Sequence, residues 1–228
     1  MEKFSIKTFI NWDIILVIAV LLGAFVIPVF PHSWGRTPVR MGSTLIFISG
    51  VMTMEKRPLK ILYLAMAAFA MEWVSGIFEW EVFVDVSRFL NVLFFMIVIV
   101  SLIREMATAK VVTKRVIMDS ISGYLLLGIL YSVVIAAIIQ RDPGAFNISV
   151  EKNDMGDATA HLSESLYFGY VTLASLGYGD MIPLKPYTRS LATLITISGQ
   201  LYIATIIGIL IGKFAAIQPV NDTQDKTQ

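Results

Sequence analysis

The segment from Ser165 to Asp180 reads SLYFGYVTLASLGYGD, and its end, Gly177-Tyr178-Gly179-Asp180, carries the chemistry. Glycine has no Cβ, so Gly177 and Gly179 reach backbone conformations closed to other residues. An extended strand built this way can turn successive carbonyls to one side. Four copies around an axis would stack those oxygens in rings, and such rings can replace the water shell of a dehydrated cation. The chain offers little else that reacts. It has no cysteine, which excludes disulfides and thiolate metal sites. His32 and His161 stand alone, no His/Asp/Glu cluster has metal-ligand spacing, and neither Gly-x-Ser-x-Gly nor His-Glu-x-x-His occurs. Neither an enzyme nor an organic cofactor is expected.

The elements that must hold this segment are apolar. Of the 228 residues, 56% are hydrophobic and 15% charged, against about 25% charged in an ordinary soluble domain. Polar residues sit in short islands between long apolar runs, the pattern of a chain dissolved in lipid. About 20 apolar residues cross a bilayer core. That length gives spans at 9–30, 39–54, 60–79, 86–103, 116–140 and 188–212. The run after Lys3 and Lys7 has no small-x-small cleavage site before Phe30 and reads as a retained first helix. Between the last two spans lies a semi-polar stretch, 141–187, whose apolar patch at 165–176 is too short to cross and reads as re-entrant. A helix over 162–174 would aim its carboxyl end, with its partial negative charge, at the centre of the four copies.

Lysine and arginine set the expected orientation. With the amino terminus inside, eleven of the 18 lie on the inner side, leaving Arg36, Arg40, Arg88, Arg141, Lys152, Lys185 and Arg189 outside. Both termini are then cytoplasmic, and the re-entrant segment enters from outside. The linker 104–115, REMATAKVVTKR, reads as a basic helix lying along the inner surface. The polar tail after Lys213 is too small for a soluble ligand-binding domain. A net charge of +1 without a Lys/Arg block gives no reason to expect nucleic acid as a partner.

The stretch 165–214 resembles the pore region of the potassium-channel superfamily, and of voltage-gated potassium channels in particular. The likeness runs without gaps from the Thr172-containing helix through Gly-Tyr-Gly-Asp, Met181 and Pro183 to Gly199, Leu201, Ile203, Ala204 and Lys213-Phe214. It implies a homotetramer among membrane lipids, with K+ held by Ser175, Leu176, Gly177 and Tyr178. Gly179, Asp180, Thr172, Tyr167 and Phe168 would support that filter. The departures are specific. The family usually has Thr-Val where this chain has Ser175-Leu176, and Ala174 replaces a second common threonine. Serine keeps the hydroxyl that would form the innermost ion layer, and leucine contributes only its carbonyl. The aromatic pair that is often Trp-Trp is Tyr167-Phe168. Tyr167 keeps a polar tip that can reach Asp180, whereas Phe168 has none to offer Tyr178, which predicts a weaker brace.

In the last helix, Gln200, Ile203, Ala204, Ile207 and Ile211 share one face. The resemblance implies that this face lines the cavity below the filter, with Gly199 as a bending point. Where voltage-gated relatives carry Pro-x-Pro the chain has Ile206-Ile207-Gly208, so a kink there must come from glycine. Ala204, Gly208 and Gly212 also form a stripe of small residues suited to close helix packing. The first four spans resemble a voltage sensor in number only. A sensor needs several arginines in its fourth helix, and span 86–103 has Arg88 near one end and Arg104 just beyond the other, with none between. Glu72, a carboxylate at membrane depth, reads as structural, with Asn91 a candidate partner.

These readings converge on an all-α membrane protein of six spans plus a pore helix and filter. Its parts would be a four-helix membrane domain with a basic linker at 1–115, a pore domain at 116–214 and a short cytoplasmic tail at 215–228. The expected function is passive K+ flux across the plasma membrane. A weakly selective cation channel is the alternative within that class; a secondary transporter or a non-conducting scaffold is the alternative outside it. Transporters usually show two related halves, and this chain has no internal repeat. Two smaller signals lie outside the spans. Glu151, Asp154, Asp157 and Glu164 could concentrate cations at the mouth or form a solvated turret, and Asn147-Ile148-Ser149 fits a glycosylation acceptor.

Overall fold

A computed structural model describes residues 11–26, 29, 37–54, 59–78, 81–109, 111–147 and 158–217. In lipid every backbone polar group must be paired within the protein, so the apolar runs become helices. In chain order these are α1 (Trp12–Leu21), which continues as a π-helical turn (Leu22–Val26), α2 (Thr37–Thr53), α3 (Leu59–Phe78), α4 (Glu81–Thr108) and α5 (Lys114–Arg141). A two-residue strand β1 (Phe146–Asn147), α6 (Ala158–Leu173), β2 (Ile182–Pro183) and α7 (Pro186–Ile217) complete the chain. Three stretches are long and apolar enough to cross a bilayer: Val82–Thr108, Lys114–Arg141 and Pro186–Lys213. Trp12–Val26 and Ile61–Ser75 are shorter apolar helical stretches.

Ion pairs fix how the helix ends are grouped. At the start of α5, Arg115 lies 3.8 Å from Asp13 of α1, 3.3 Å from Glu105 of α4 and 3.6 Å from Asp119 one turn along α5. It also donates to the Thr53 carbonyl at the end of α2 at 2.7 Å. The starts of α1 and α5 therefore share a side with the ends of α2 and α4. On the opposite side Arg141 ends α5 and pairs with Asp85 in the first turn or so of α4 at 2.6 Å. Between these polar caps the core is aliphatic and aromatic. Phe47 of α2 meets Phe94 of α4 edge-on at 4.9 Å, and Leu16, Leu102, Leu126 and Ile135 are fully buried around it.

The linker expected as a separate surface helix at 104–115 is not one. Residues 104–108 extend α4, and α5 begins at Lys114. Two caps enforce the break. The Thr113 hydroxyl accepts from the Val116 N–H and so starts α5. At the end of α4 the orphan carbonyls of Met106 and Ala107 accept from the Lys213 ammonium of α7, at 3.3 Å for Ala107. Lys3, Lys7, His32, Ile148, Ser149, Glu151, Asp154, Asp157 and the tail beyond 217 lie outside the described residues.

Candidate functional site

Helix α6, expected to be re-entrant, is four residues longer at its start than 162–174 and ends one residue earlier. It is seated between α5 and α7 by specific contacts. The Tyr170 hydroxyl donates to the Leu125 carbonyl of α5 at 2.7 Å, and the Thr196 hydroxyl of α7 reaches the Thr172 carbonyl at 3.3 Å. Gly199 of α7 lies directly against the end of α6. A side chain there would run into the Leu173 carbonyl, so this glycine has a packing reason whatever bending it permits.

The end of α6 explains how the loop begins. The Leu176 N–H bonds to the Val171 carbonyl at 2.9 Å and the Ser175 N–H to the Thr172 carbonyl at 3.0 Å. That pair of bonds is a Schellman motif, which requires its C′ residue, here Ser175, to be left-handed. Ser175 has φ +60°, Gly177 φ +56° and Gly179 φ +82°, and no other non-glycine residue has a positive φ among the described residues. Left-handed residues thus alternate with Leu176 and Tyr178. Alternation of hand flips each successive peptide, which is how a short strand turns its carbonyls to a common side. Leu176, Tyr178 and the two glycines between and after them are exposed in the single chain.

Side chains around the loop fall into three groups. The Tyr167 hydroxyl donates to the Asp180 carboxylate, as its polar tip allowed, and Asp180 also accepts from the Met181 N–H at 3.0 Å. These hydrogen bonds, the one from Tyr167 foremost, hold the Asp180 carboxyl below the ordinary carboxylate range. Phe168 is buried edge-on against Phe146 at 5.1 Å. Phe146 is itself fixed by β1, which pairs antiparallel with β2 in the register Phe146 to Pro183, so the strand leaving the loop is clasped to the end of α5. On the other side, Gln200 Nε2 of α7 donates to the Ser175 hydroxyl at 2.8 Å. The sequence placed Gln200 on the cavity face but gave no sign of this bond, and Phe146 was not singled out at all. Both partners lie 22 or more residues away from what they touch, beyond the reach of any local pattern.

The face of α7 that carries Gln200, Ile203, Ala204, Ile207, Gly208 and Ile211 is exposed along its length, while Ile195 and Tyr202 are buried on the opposite side. The helix runs unbroken through Gly199 and Gly208. Within the chain no atom lies within 4 Å of where a side chain at Gly208 or Gly212 would begin, so any close packing of that stripe is against another molecule. Glu72 accepts from the Ser43 hydroxyl at 2.5 Å and faces the Asn91 amide at 3.4 Å. It borders a cavity of about 210 Å³ that also touches Arg40, Arg88, Ile129 and Leu162, between the first four helices and the pore helix.

A short helix packed between two helices of membrane-crossing length, ending in a loop of alternating hand, is the arrangement expected of an ion-channel pore. Comparison with known proteins agrees: residues 121–216 match a family described as "Ion channel". Its similar relatives include the A-type voltage-gated potassium channel KCND3 of Rattus norvegicus and of Homo sapiens, each 26% identical over 104 residues. The potassium voltage-gated channel protein Shal of Drosophila melanogaster is likewise 26% identical over 104 residues. The matched stretch covers 46% of this chain but only 15% of the KCND3 proteins and 17% of Shal. No solved structure matches the chain.

Proposed function

We propose that this chain is one subunit of a homotetrameric, potassium-selective channel that conducts K+ passively across the plasma membrane. In this reading α1 to α5 and α7 are six spans, both termini are cytoplasmic, and α6 dips in from outside. Residues 1–115 form a four-helix membrane domain, 116–214 the pore domain, and 215–228 a tail. K+ binds at Ser175, Leu176, Gly177 and Tyr178, with Gly179, Asp180, Thr172, Tyr167 and Phe168 as supports. Gly199, Gln200, Ile203, Ala204, Ile207, Gly208 and Ile211 face the cavity. The observation that carries the reading is the alternation of left-handed residues at 175, 177 and 179 immediately beyond the carboxyl end of α6. It supports carbonyl rings, and the helix end adds partial negative charge where a cation would rest.

The decisive experiment is a reversal-potential measurement in reconstituted bilayers with K+ on one side and Na+ on the other. The expected potential follows the K+ gradient. A potential that ignores it overturns the reading, and an intermediate value favours a weakly selective cation channel, the form that Ser175-Leu176 and the apolar Phe168 would produce. Gly177→Ala is the matched control. Within the single chain a side chain there meets nothing within 4 Å of its first carbon; the substitution disfavours the positive φ, by roughly 1–2 kcal/mol in each subunit, and is expected to abolish the preference.

A further inference from the structure

Ser175 is an unusual residue for its place. The C′ position of a Schellman motif is most often glycine, because a Cβ disfavours positive φ, and Ser175 sits there at φ +60°. Its hydroxyl is also a free rotor: serine lacks the second Cβ substituent that makes threonine stiff about χ1. A side chain that is both strained in backbone and unrestrained in rotamer is poorly suited to hold a cation ring. One contact in the chain addresses this defect. Gln200 Nε2, one residue after the glycine that lets α7 close onto α6, donates to Ser175 Oγ at 2.8 Å. The bond occupies one lone pair of the hydroxyl and so fixes where its single proton and its remaining lone pair point.

We infer that Gln200 is a positioning residue for the innermost cation layer: its side-chain amide orients the Ser175 hydroxyl, and through it the selectivity of that layer. This rests on the filter reading above and adds to it a residue 25 positions away, on a different helix, without which the serine layer is disordered. Gln200 need not touch the ion. Its action runs through Ser175, and that separates the proposal from a general effect of a polar side chain in the cavity.

A double-mutant cycle tests it, read as the K+/Na+ permeability ratio from reversal potentials of reconstituted tetramers. Gln200→Met keeps the length of the side chain and removes the amide; it is expected to lower the ratio about tenfold, the factor that follows from losing one hydrogen bond that orders a site. Ser175→Ala is expected to do the same. In the Ser175→Ala background, Gln200→Met is expected to change nothing further, because its partner is already gone. The inference is overturned if Gln200→Met leaves the ratio at the wild-type value, or if it lowers the ratio as much without the serine hydroxyl as with it. Should the Met variant fail to assemble on size exclusion, Gln200→Ala carries the same cycle. A wild-type channel without K+ preference would instead sink the filter reading itself, so the two failures are distinguishable.

Discussion

At the scale of single residues, the loop after α6 is held by a hydrogen bond at Tyr167 and by an apolar contact at Phe168. Tyr167 donates to Asp180, whereas the neighbouring Phe168 turns into an apolar contact with Phe146. Tyr178 is exposed in the single chain; where assembly excludes water from it, a hydroxyl without a partner would cost about 1–3 kcal/mol, and an indole at position 168 would supply that partner. Phe168→Trp is therefore expected to steady conduction at low K+, and Tyr167→Phe to worsen it; if both are silent in single-channel records, packing alone holds the loop. The pH dependence has a definite sign. Hydrogen bonds depress the Asp180 carboxyl below its usual 3.8, so the brace is fully present above that value and is lost only as pH falls through the lower, folded value. External acidification from pH 7 to about 5 should leave low-K+ stability unchanged. Loss of stability near pH 6 would show that another group controls the brace.

At the scale of elements, the sequence told more about what each segment is than about what it touches. Residues 165–180 were legible mainly through their resemblance to the pore region of potassium channels, with which Gly177, Gly179 and the short apolar patch are consistent. The positive φ of Ser175 was not legible, since it follows from two backbone hydrogen bonds that close α6, and serine carries no signal for them. The linker was misread for a similar reason. A basic run looks like a surface helix, yet Lys213, 106 or more residues away, caps the end of α4, and Arg115 is drawn into a cluster with three carboxylates. Lys213→Met should cost roughly 0.3–1 kcal/mol per subunit through the loss of a cation at a helix carboxyl end, visible as a lower melting temperature of the detergent-solubilised protein. An unchanged melting temperature would mean that the cap is made equally well by water. Within α4, Arg88 is held by Gln140 and lies 4.0 Å from Asp85, and Arg104 follows more than four turns later. With so few charges to move, open probability should vary little with voltage, and gating currents of several charges per subunit would contradict this.

At the scale of the whole molecule, the single chain leaves much apolar surface uncovered. In α7 only 17% of the most apolar window is buried, against 50% in α5, and the exposed surface includes Leu176, Tyr178, Ile207 and Ile211. Lipid can cover a helix, because its backbone is already paired. It cannot cover the loop: among the described residues the N–H groups of Gly177, Tyr178 and Gly179 find no backbone acceptor within the chain, and irregular backbone at membrane depth is tolerated only against protein or water. Copies of the chain around a wet axis would satisfy both demands, and under the proposed function a cation bound on that axis would help to hold the copies together. A ligand that binds only the assembled state stabilises it by about 2.7 kcal/mol at a hundredfold excess over its dissociation constant. Four-subunit particles by native mass spectrometry are expected, with a melting temperature that rises as K+ is titrated and does not rise with Na+ at equal ionic strength. Gly177→Ala should remove the K+ dependence while leaving the mass unchanged. Equal stabilisation by the two ions, or a monomer in every detergent that preserves helicity, would refute an ion-filled tetrameric pore.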